Sequence, residues 1–531
     1  MSIMERIATS FCSFEGLIKR YTYVDKTDML WRLVSDSTDR MFFVSRPRRF
    51  GKSLMIDTLK CIFEGRRDLF KGLKIDKKRY DWKTYPVIRL SMDEEKGETP
   101  GQLVENLIGT VAGLVERFGL EGVREYSSPG KYFGEFLTKL AAKSGPYVVL
   151  IDEYDVPLQG FLGDAAGVKR VRNILHDFYV QLKSHSGDIR FMMMTGVTKL
   201  TKLSVFSGLN NPKDLTMDYP EYAALFGYTP KEIEATYPKR LDSLAKALKT
   251  DRKGALKSLL HWYDSYRFCP GSKVRVCNPI SIAKALETKT IQSYWVRTAT
   301  ASLVMERLMQ TGMRPDDLEG CEASAEELDV CDALELPVKA LMYQSGYLTI
   351  KDVRTDPDDD NQRRLILGVP NLEVHRALRA GWFDSFVKIP LTEFDALVDV
   401  AKRQVAAGDV RALVGETLYR IYAKIPLSWK IRCEADAKRH FRLFMEMIGA
   451  KVTAEESTAF GYADAIIETK KFVWVFEFKF NRSANAAVRQ IREKGYAAQY
   501  KGDRRPVTLV GINFRTAKRN IDEPMFEEFR G

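Results

Sequence analysis

The densest chemistry in the sequence lies in Arg46-Pro47-Arg48-Arg49-Phe50-Gly51-Lys52-Ser53, between a run that reads as a buried strand, 41–45, and one that reads as an amphipathic helix, 52–64. A loop in that setting can cradle phosphates. Backbone N–H groups at the helix start point at the anion, Lys52 reaches the terminal phosphates and Ser53 holds Mg²⁺. Arg48, Arg49, Phe50, Gly51, Lys52, Ser53 and Leu54 are therefore the expected ligand-binding residues. Arg46 stands where such loops usually begin with glycine, and a basic loop that only caps a helix would carry the same octapeptide. The second half of the site argues against that bland reading. About a hundred residues downstream, Tyr147-Val148-Val149-Leu150-Ile151 is an apolar strand ending in Asp152-Glu153. Asp152 can hold Mg²⁺ through water, and Glu153 can polarise an attacking water. Thr195, ending the next strand, falls where a polar residue senses a γ-phosphate, although a plain strand-end threonine is an equal reading. Thr198-Lys199-Leu200-Thr201-Lys202 and Asn210-Asn211 follow it.

A second constellation stands near the carboxy-terminal end. Residues 461–479 read as two apolar strands around a short polar turn. With Lys470-Lys471 as a two-residue loop, residues whose numbers sum to 941 face each other, which sets Asp464 opposite Glu477. Alternation puts Lys479 on the face of Glu477. Two carboxylates and an ammonium at one hairpin end suit metal-assisted phosphodiester hydrolysis. Asp464 and Glu477 would be the ligands, and Lys479 would orient or help deprotonate water and offset transition-state charge. A solvated strand end with an exposed Glu-x-Lys looks the same locally; the register is what adds Asp464. Glu456 is a further acidic candidate, read more simply as a surface residue.

These groups need rigid elements to hold them. Between residues 40 and 200, strands over 41–45, 86–91, 147–151 and 189–195 alternate with helices over 52–64, 101–118 and 168–183, which predicts an α/β domain with a mostly parallel sheet. Residues 230–330 are helix-rich and polar, as a lid would be. A helix at 340–345, strands at 347–351 and 364–369 and a helix at 373–380 read as a winged-helix module whose acidic tip, Asp356 to Asp360, would be a poor DNA reader. Two helical stretches over 391–424 lead to a final α/β segment from 431. The 531 residues suffice for roughly three or four domains. Net charge is +12, from 83 Lys plus Arg against 71 Asp plus Glu; residues 431–531, with 19 basic and 14 acidic side chains, are the most basic by density, which is compatible with polyanion partners. Seven scattered cysteines read as reduced thiols, and five histidines leave metal binding to carboxylates. No apolar run approaches the roughly 18 residues of a membrane span, and Glu5 and Arg6 interrupt any signal-peptide core. A cytoplasmic protein with no membrane partner is expected.

The segments Tyr23-Val24-Asp25-Lys26-Thr27, Arg46 to Ser53, Leu150 to Asp155, Phe206-Ser207-Gly208-Leu209-Asn210-Asn211, Trp262-Tyr263-Asp264 and Cys277-Asn278-Pro279 resemble the prokaryotic "predicted AAA-ATPase" family of P-loop ATPases over roughly residues 10–390. In that family an arginine at the position of Arg46 is usual; the Trp-Tyr-Asp-Gly-Tyr pattern departs at Ser265. The carboxy-terminal region resembles the PD-(D/E)XK nuclease superfamily domain found behind such ATPases. His440 in the preceding helix matches it, as do Gln490 and Lys494, which are four residues apart on one helical face. Tyr462 replaces an arginine of that family. The resemblance implies a P-loop AAA-like core over 1–230, a helical lid over 231–335, a winged-helix-like module over 336–390, a helical connector over 391–430 and a restriction-endonuclease-like α/β domain over 431–531. It implies ATP with Mg²⁺ in the first site, Mg²⁺ or Mn²⁺ in the second, DNA or RNA as partner, and an arrangement compatible with a homo-oligomer. The expected activity is an ATP-dependent or ATP-gated nuclease. The alternative is a nucleotide-switched nucleic-acid-binding or signalling ATPase whose nuclease-like domain does not cleave.

Overall fold

The computed structural model describes residues 6–529 except 11–12, 37, 96, 163, 200–211, 296–303, 306, 309–310, 312, 314, 330–336, 357–358, 388–390, 425–430, 432, 449, 451, 454–455 and 459–460. Residues 1–375 and 376–531 form two compact units. In the first, the strands β1 (Met41–Ser45), β2 (Val87–Ser91), β3 (Tyr147–Asp152), β4 (Ile189–Gly196) and β5 (Lys213–Asp214) make one sheet in the order β2-β3-β4-β1-β5. Every pairing is parallel. A parallel sheet is covered on both faces, which is why β3 is apolar without alternation and buried throughout. Helix α1 (Lys52–Phe63) follows β1, with Gly51 before it at φ +96°, a conformation that glycine adopts without strain. Helices α2 (Pro100–Arg117), α3 (Pro129–Ser144) and α4 (Ala165–Ser184) pack on the sheet. Thr99 and Gln102 form a capping box at the start of α2. Helix α3 lies outside the expected helices; its start is marked by Ser128 accepting from Lys131 N and by proline in the first turn. Its Phe133 stacks on Phe178 of α4 at 4.4 Å, and each such buried ring contributes roughly 1.5–3 kcal/mol.

Four helices of the stretch expected as a lid, α5 (Pro230–Thr236), α6 (Pro238–Ala247), α7 (Arg252–Tyr263) and α8 (Pro279–Thr288), share a core that includes Leu241, Leu259, Tyr263 and Leu286. The stretch expected as a winged-helix module holds α9 (Val338–Ser345), β7 (Thr349–Asp356) and β8 (Asp359–Gly368), to which β6 (Glu322–Ala323) adds a third strand. Helix α10 (Leu372–Val387) follows and contains the boundary between the units. Residues 357–358 of the wing tip lie outside the described residues.

The second unit holds α11 (Leu391–Ala407), a π-helical turn at Leu413–Leu418, α12 (Glu434–Met447), the strands β9 (Val452–Thr453), β10 (Glu456–Thr458), β11 (Gly461–Ala463), β12 (Ala465–Glu468) and β13 (Val473–Phe480), then α13 (Ala484–Glu493), β14 (Val507–Arg515), β15 (Asn520–Ile521) and β16 (Met525–Glu528). The sheet runs β15-β14-β13-β12-β9, with β16 beside β14. β12 and β13 pair antiparallel as Ala465 with Phe476 through Glu468 with Val473, all sums of 941, and Thr469 N donates to Phe472 O across the Lys470-Lys471 turn. The expected register is the observed one. The stretch expected as a connector packs into this unit, where Tyr422 Oη donates to Ala437 O at 3.2 Å. Cys61, Cys269, Cys277, Cys321 and Cys433 are free.

Candidate nucleotide and metal sites

Because β4 lies between β1 and β3, the loop after β1 and the carboxylates ending β3 are one strand apart. Thr195 near the end of β4 fills that interval. Its Oγ1 donates to Asp152 Oδ1 at 2.6 Å, so the hydroxyl fixes the carboxylate. Arg49 and Gly51 both have positive φ, at +68° and +96°, bending the loop back over the start of α1. A cavity of about 520 Å³ opens there, lined by Arg49, Phe50, Gly51, Lys52, Ser53, Leu54 and Glu153 on one side and by Tyr23, Tyr228, Tyr237 and Lys284 among others. That volume suits a nucleotide. Lys52 Nζ donates to the carbonyls of Arg46 (2.9 Å) and Pro47 (3.2 Å), and burial lowers its pKa. Glu153 has φ +53°; burial raises its pKa, against the pull of Lys52. Of the expected loop residues, Arg48 does not line the cavity and donates instead to Gln159 Oε1 at 3.0 Å.

Arg46 explains the missing glycine. It is 1% exposed, its Nη1 donates to the carbonyls of Ser45 (2.8 Å) and Thr216 (3.0 Å), and its guanidinium lies 4.5 Å from the Phe268 ring centre. Burial pushes its pKa down to about 10. The side chain points into the core and stitches the loop to the segment after β5. Lys284 on α8 and Tyr23, Tyr228 and Tyr237 of the far wall were not legible as site residues, because only the folded chain brings them to the loop. Leu200, Thr201, Lys202, Asn210 and Asn211, and the whole segment from Phe206, lie outside the described residues.

In the second unit the hairpin delivers Glu477 and Lys479 from β13 and Asp464 from the residue before β12. Asp464 Oδ2 accepts from Phe478 N at 2.8 Å, and Lys479 Nζ donates to Glu477 Oε1 at 2.8 Å. A third carboxylate joins them. Glu434, at the first turn of α12, forms with Asp464 and Glu477 a group whose oxygens lie within 4.8 Å of one another. Glu434 is thus a candidate for the early acidic ligand; the backbone of Glu456, the other candidate, pairs with Ala463 through β10, and its side chain lies outside the described residues. The signal for Glu434 was the pair Glu434 and Lys438, one helical turn apart. Lys438 Nζ lies 2.6 Å from Asp464 Oδ1 and 2.9 Å from Glu434 Oε1. Glu477 is 1% exposed, and burial, then Asp464, push its pKa up to about 7. Its Oε2 is buried without a hydrogen-bond partner. Three hard oxygen donors with one orphaned oxygen fit a divalent cation. A Cβ at Gly511 would sit 2.2 Å from the Ala484 carbonyl, so only glycine lets α13 seat against β14 beside Glu477.

The remaining candidates are placed otherwise. His440 lies about 120° around α12 from Glu434. Gln490 donates to Tyr496 Oη at 3.4 Å, and Lys494 is exposed at the end of α13; among the described residues neither pairs with the carboxylates.

The fold and these sites define a P-loop ATPase module in one unit and a restriction-endonuclease-like module in the other. The sequence matches the Predicted AAA-ATPase family over residues 9–206 and the PD-(D/E)XK nuclease superfamily over residues 434–524. It is 31% identical over 518 residues, 94% of each chain, to the "Uncharacterized protein in vnfD 5'region" of Azotobacter chroococcum mcd 1. The chain belongs to the same family as that protein, and it carries a predicted AAA-ATPase domain and a carboxy-terminal PD-(D/E)XK nuclease superfamily domain by its own matches. Similar solved structures include the Aeropyrum pernix ORC1 protein in complex with DNA (13% identity, 66% of this chain and 91% of that chain, TM-score 0.24). The Aeropyrum pernix ORC2 protein in its ADPNP-ADP complexes is similar at 12% identity, with 68% and 92% covered and a TM-score of 0.28. Both likenesses are too distant to carry an argument. Among the described residues no helix is long and apolar enough to cross a membrane.

Proposed function

We propose that the protein is an ATP-dependent or ATP-gated, metal-dependent nuclease acting on DNA or RNA. The observation that carries the reading is the meeting of Glu434, Asp464 and Glu477 with Lys479 at one hairpin end. Glu434, Asp464 and Glu477 would hold Mg²⁺ or Mn²⁺, which supplies Lewis-acid polarisation of a phosphate and an acidified water. Lys479, held between Glu477 Oε1 and the Phe478 carbonyl, keeps its ammonium where an attacking water or developing negative charge would lie. In the first unit Lys52, whose ammonium rests on two loop carbonyls, would bind nucleotide phosphates, Ser53 and Asp152 would hold Mg²⁺, and Glu153 would orient water. The basic carboxy-terminal stretch supports a nucleic-acid partner through phosphate contacts. The test is incubation of the full chain with plasmid, linear and single-stranded DNA and with RNA, with and without ATP, in Mg²⁺ or Mn²⁺. Cleavage that vanishes in Asp464→Ala and Glu477→Ala is expected. A wild-type chain that binds nucleic acid and cuts none of these substrates would overturn the reading in favour of a non-cleaving, nucleotide-switched binder.

A further inference from the structure

The carboxylate site carries its own counter-charges. Its three carboxylates are met by two ammonium groups, and the two lysines differ in freedom. Lys479 is 7% exposed in its side chain and is held by both Glu477 Oε1 and the Phe478 carbonyl. Lys438 is 31% exposed and reaches in from α12 to touch, among the described residues, the carboxylates of Asp464 at 2.6 Å and Glu434 at 2.9 Å. Asp464 is then engaged on both oxygens, Oδ1 by Lys438 and Oδ2 by the Phe478 N–H. A divalent ion needs ligand oxygens at 2.0–2.6 Å. An ammonium and a divalent cation sharing Asp464 and Glu434 would repel by several kcal/mol at an effective dielectric of about 20.

We infer that Lys438 is a built-in counter-ion: it holds Asp464 and Glu434 together when no metal is bound, and a divalent ion must displace it to bind. Lys438 is thus a positioning residue that sets the metal concentration at which the site fills. Its half-buried arm can swing to water, whereas Lys479 is held by Glu477 and the Phe478 carbonyl, so the exchange involves Lys438 alone. The inference rests on the metal-site reading above and adds to it a competition within the site.

The experiment measures Mn²⁺ affinity by isothermal titration calorimetry on the full chain without nucleotide, for wild type, Lys438→Met, Lys438→Gln, Lys438→Arg and Asp464→Asn. Thermal unfolding in a chelator is read beside it. Lys438→Met and Lys438→Gln should bind Mn²⁺ at least about tenfold more tightly, and both should melt lower in chelator. Lys438→Arg, which keeps the charge, should bind as wild type does. Asp464→Asn should lose the binding. If Asp464→Asn loses binding but the Met and Gln variants bind no tighter than wild type, the competition is wrong and the metal site stands. If no variant binds Mn²⁺, the metal site and the counter-ion both fall. Binding to the Met variant where wild type shows none would support the inference most directly.

Discussion

The phosphate loop and the carboxylate cluster both hold a buried lysine, and they satisfy it in opposite ways. Lys52 donates to neutral backbone carbonyls of its own loop, so a phosphate can take the ammonium over without leaving a charge unpaired. Lys438 and Lys479 donate to carboxylates, and freeing either leaves negative oxygens that must be neutralised by something else. The first site has a surplus of positive groups in Lys52, Arg49 and Lys284. The second, three carboxylates against two ammonium groups, has a surplus negative charge and an orphaned Glu477 oxygen. On the proposed reading the loop takes an anion and the cluster a cation, and the sign follows from what the lysines lean on.

The comparison breaks most visibly if each site's central group is removed. Glu477→Ala should cut nucleic-acid cleavage by more than about a hundredfold, the upper range for losing even a supporting metal-site contact. Gel assays of cleavage and binding check it, with binding retained. Glu153→Gln should lower ATP turnover by about a hundredfold or more while ATP affinity, read by a fluorescent analogue, is kept. Lys52→Ala should instead abolish that affinity, and equal binding by wild type and variant would remove the loop from the nucleotide site. Arg46→Gly restores the usual loop residue but deletes a buried side chain with its carbonyl bonds. It should therefore cost the first unit about 2–4 kcal/mol in denaturant unfolding. Thr195→Val should cost about 1–2 kcal/mol, because Asp152 loses a buried donor. The smallest effect is a gain. Ser265 stands where the family has glycine and carries φ +84°, so Ser265→Gly should raise stability by about 1 kcal/mol in the same unfolding assay.

The parts of both sites that are contiguous in the chain were readable as sequence. The loop from Arg48 to Leu54 needs only a strand before it and a helix behind it, and local φ values at Arg49 and Gly51 do the rest. The hairpin was equally readable, because a two-residue turn and the two-residue period of a strand leave one register, whose observed ladder reaches Ala465 and Phe476, the neighbours of Asp464 and Glu477. Reading the parallel sheet from apolar runs worked for the same reason: burial on both faces removes alternation.

What the sequence determined by itself is therefore everything set by local geometry: the phosphate loop, the acidic end of β3, and the facing pair Asp464 and Glu477. The tertiary structure alone decided which distant groups complete each site. Glu434 and Lys438 reach the hairpin only because Phe441 on their helix packs against Phe476 and Phe478, a contact that no spacing along the chain encodes. Likewise Arg46 turned inward because Phe268 and the Thr216 carbonyl, more than a hundred residues away, offer a buried cation its partners. Side chains that meet through packing carry no period in the sequence, so their partners become visible only when the core is assembled.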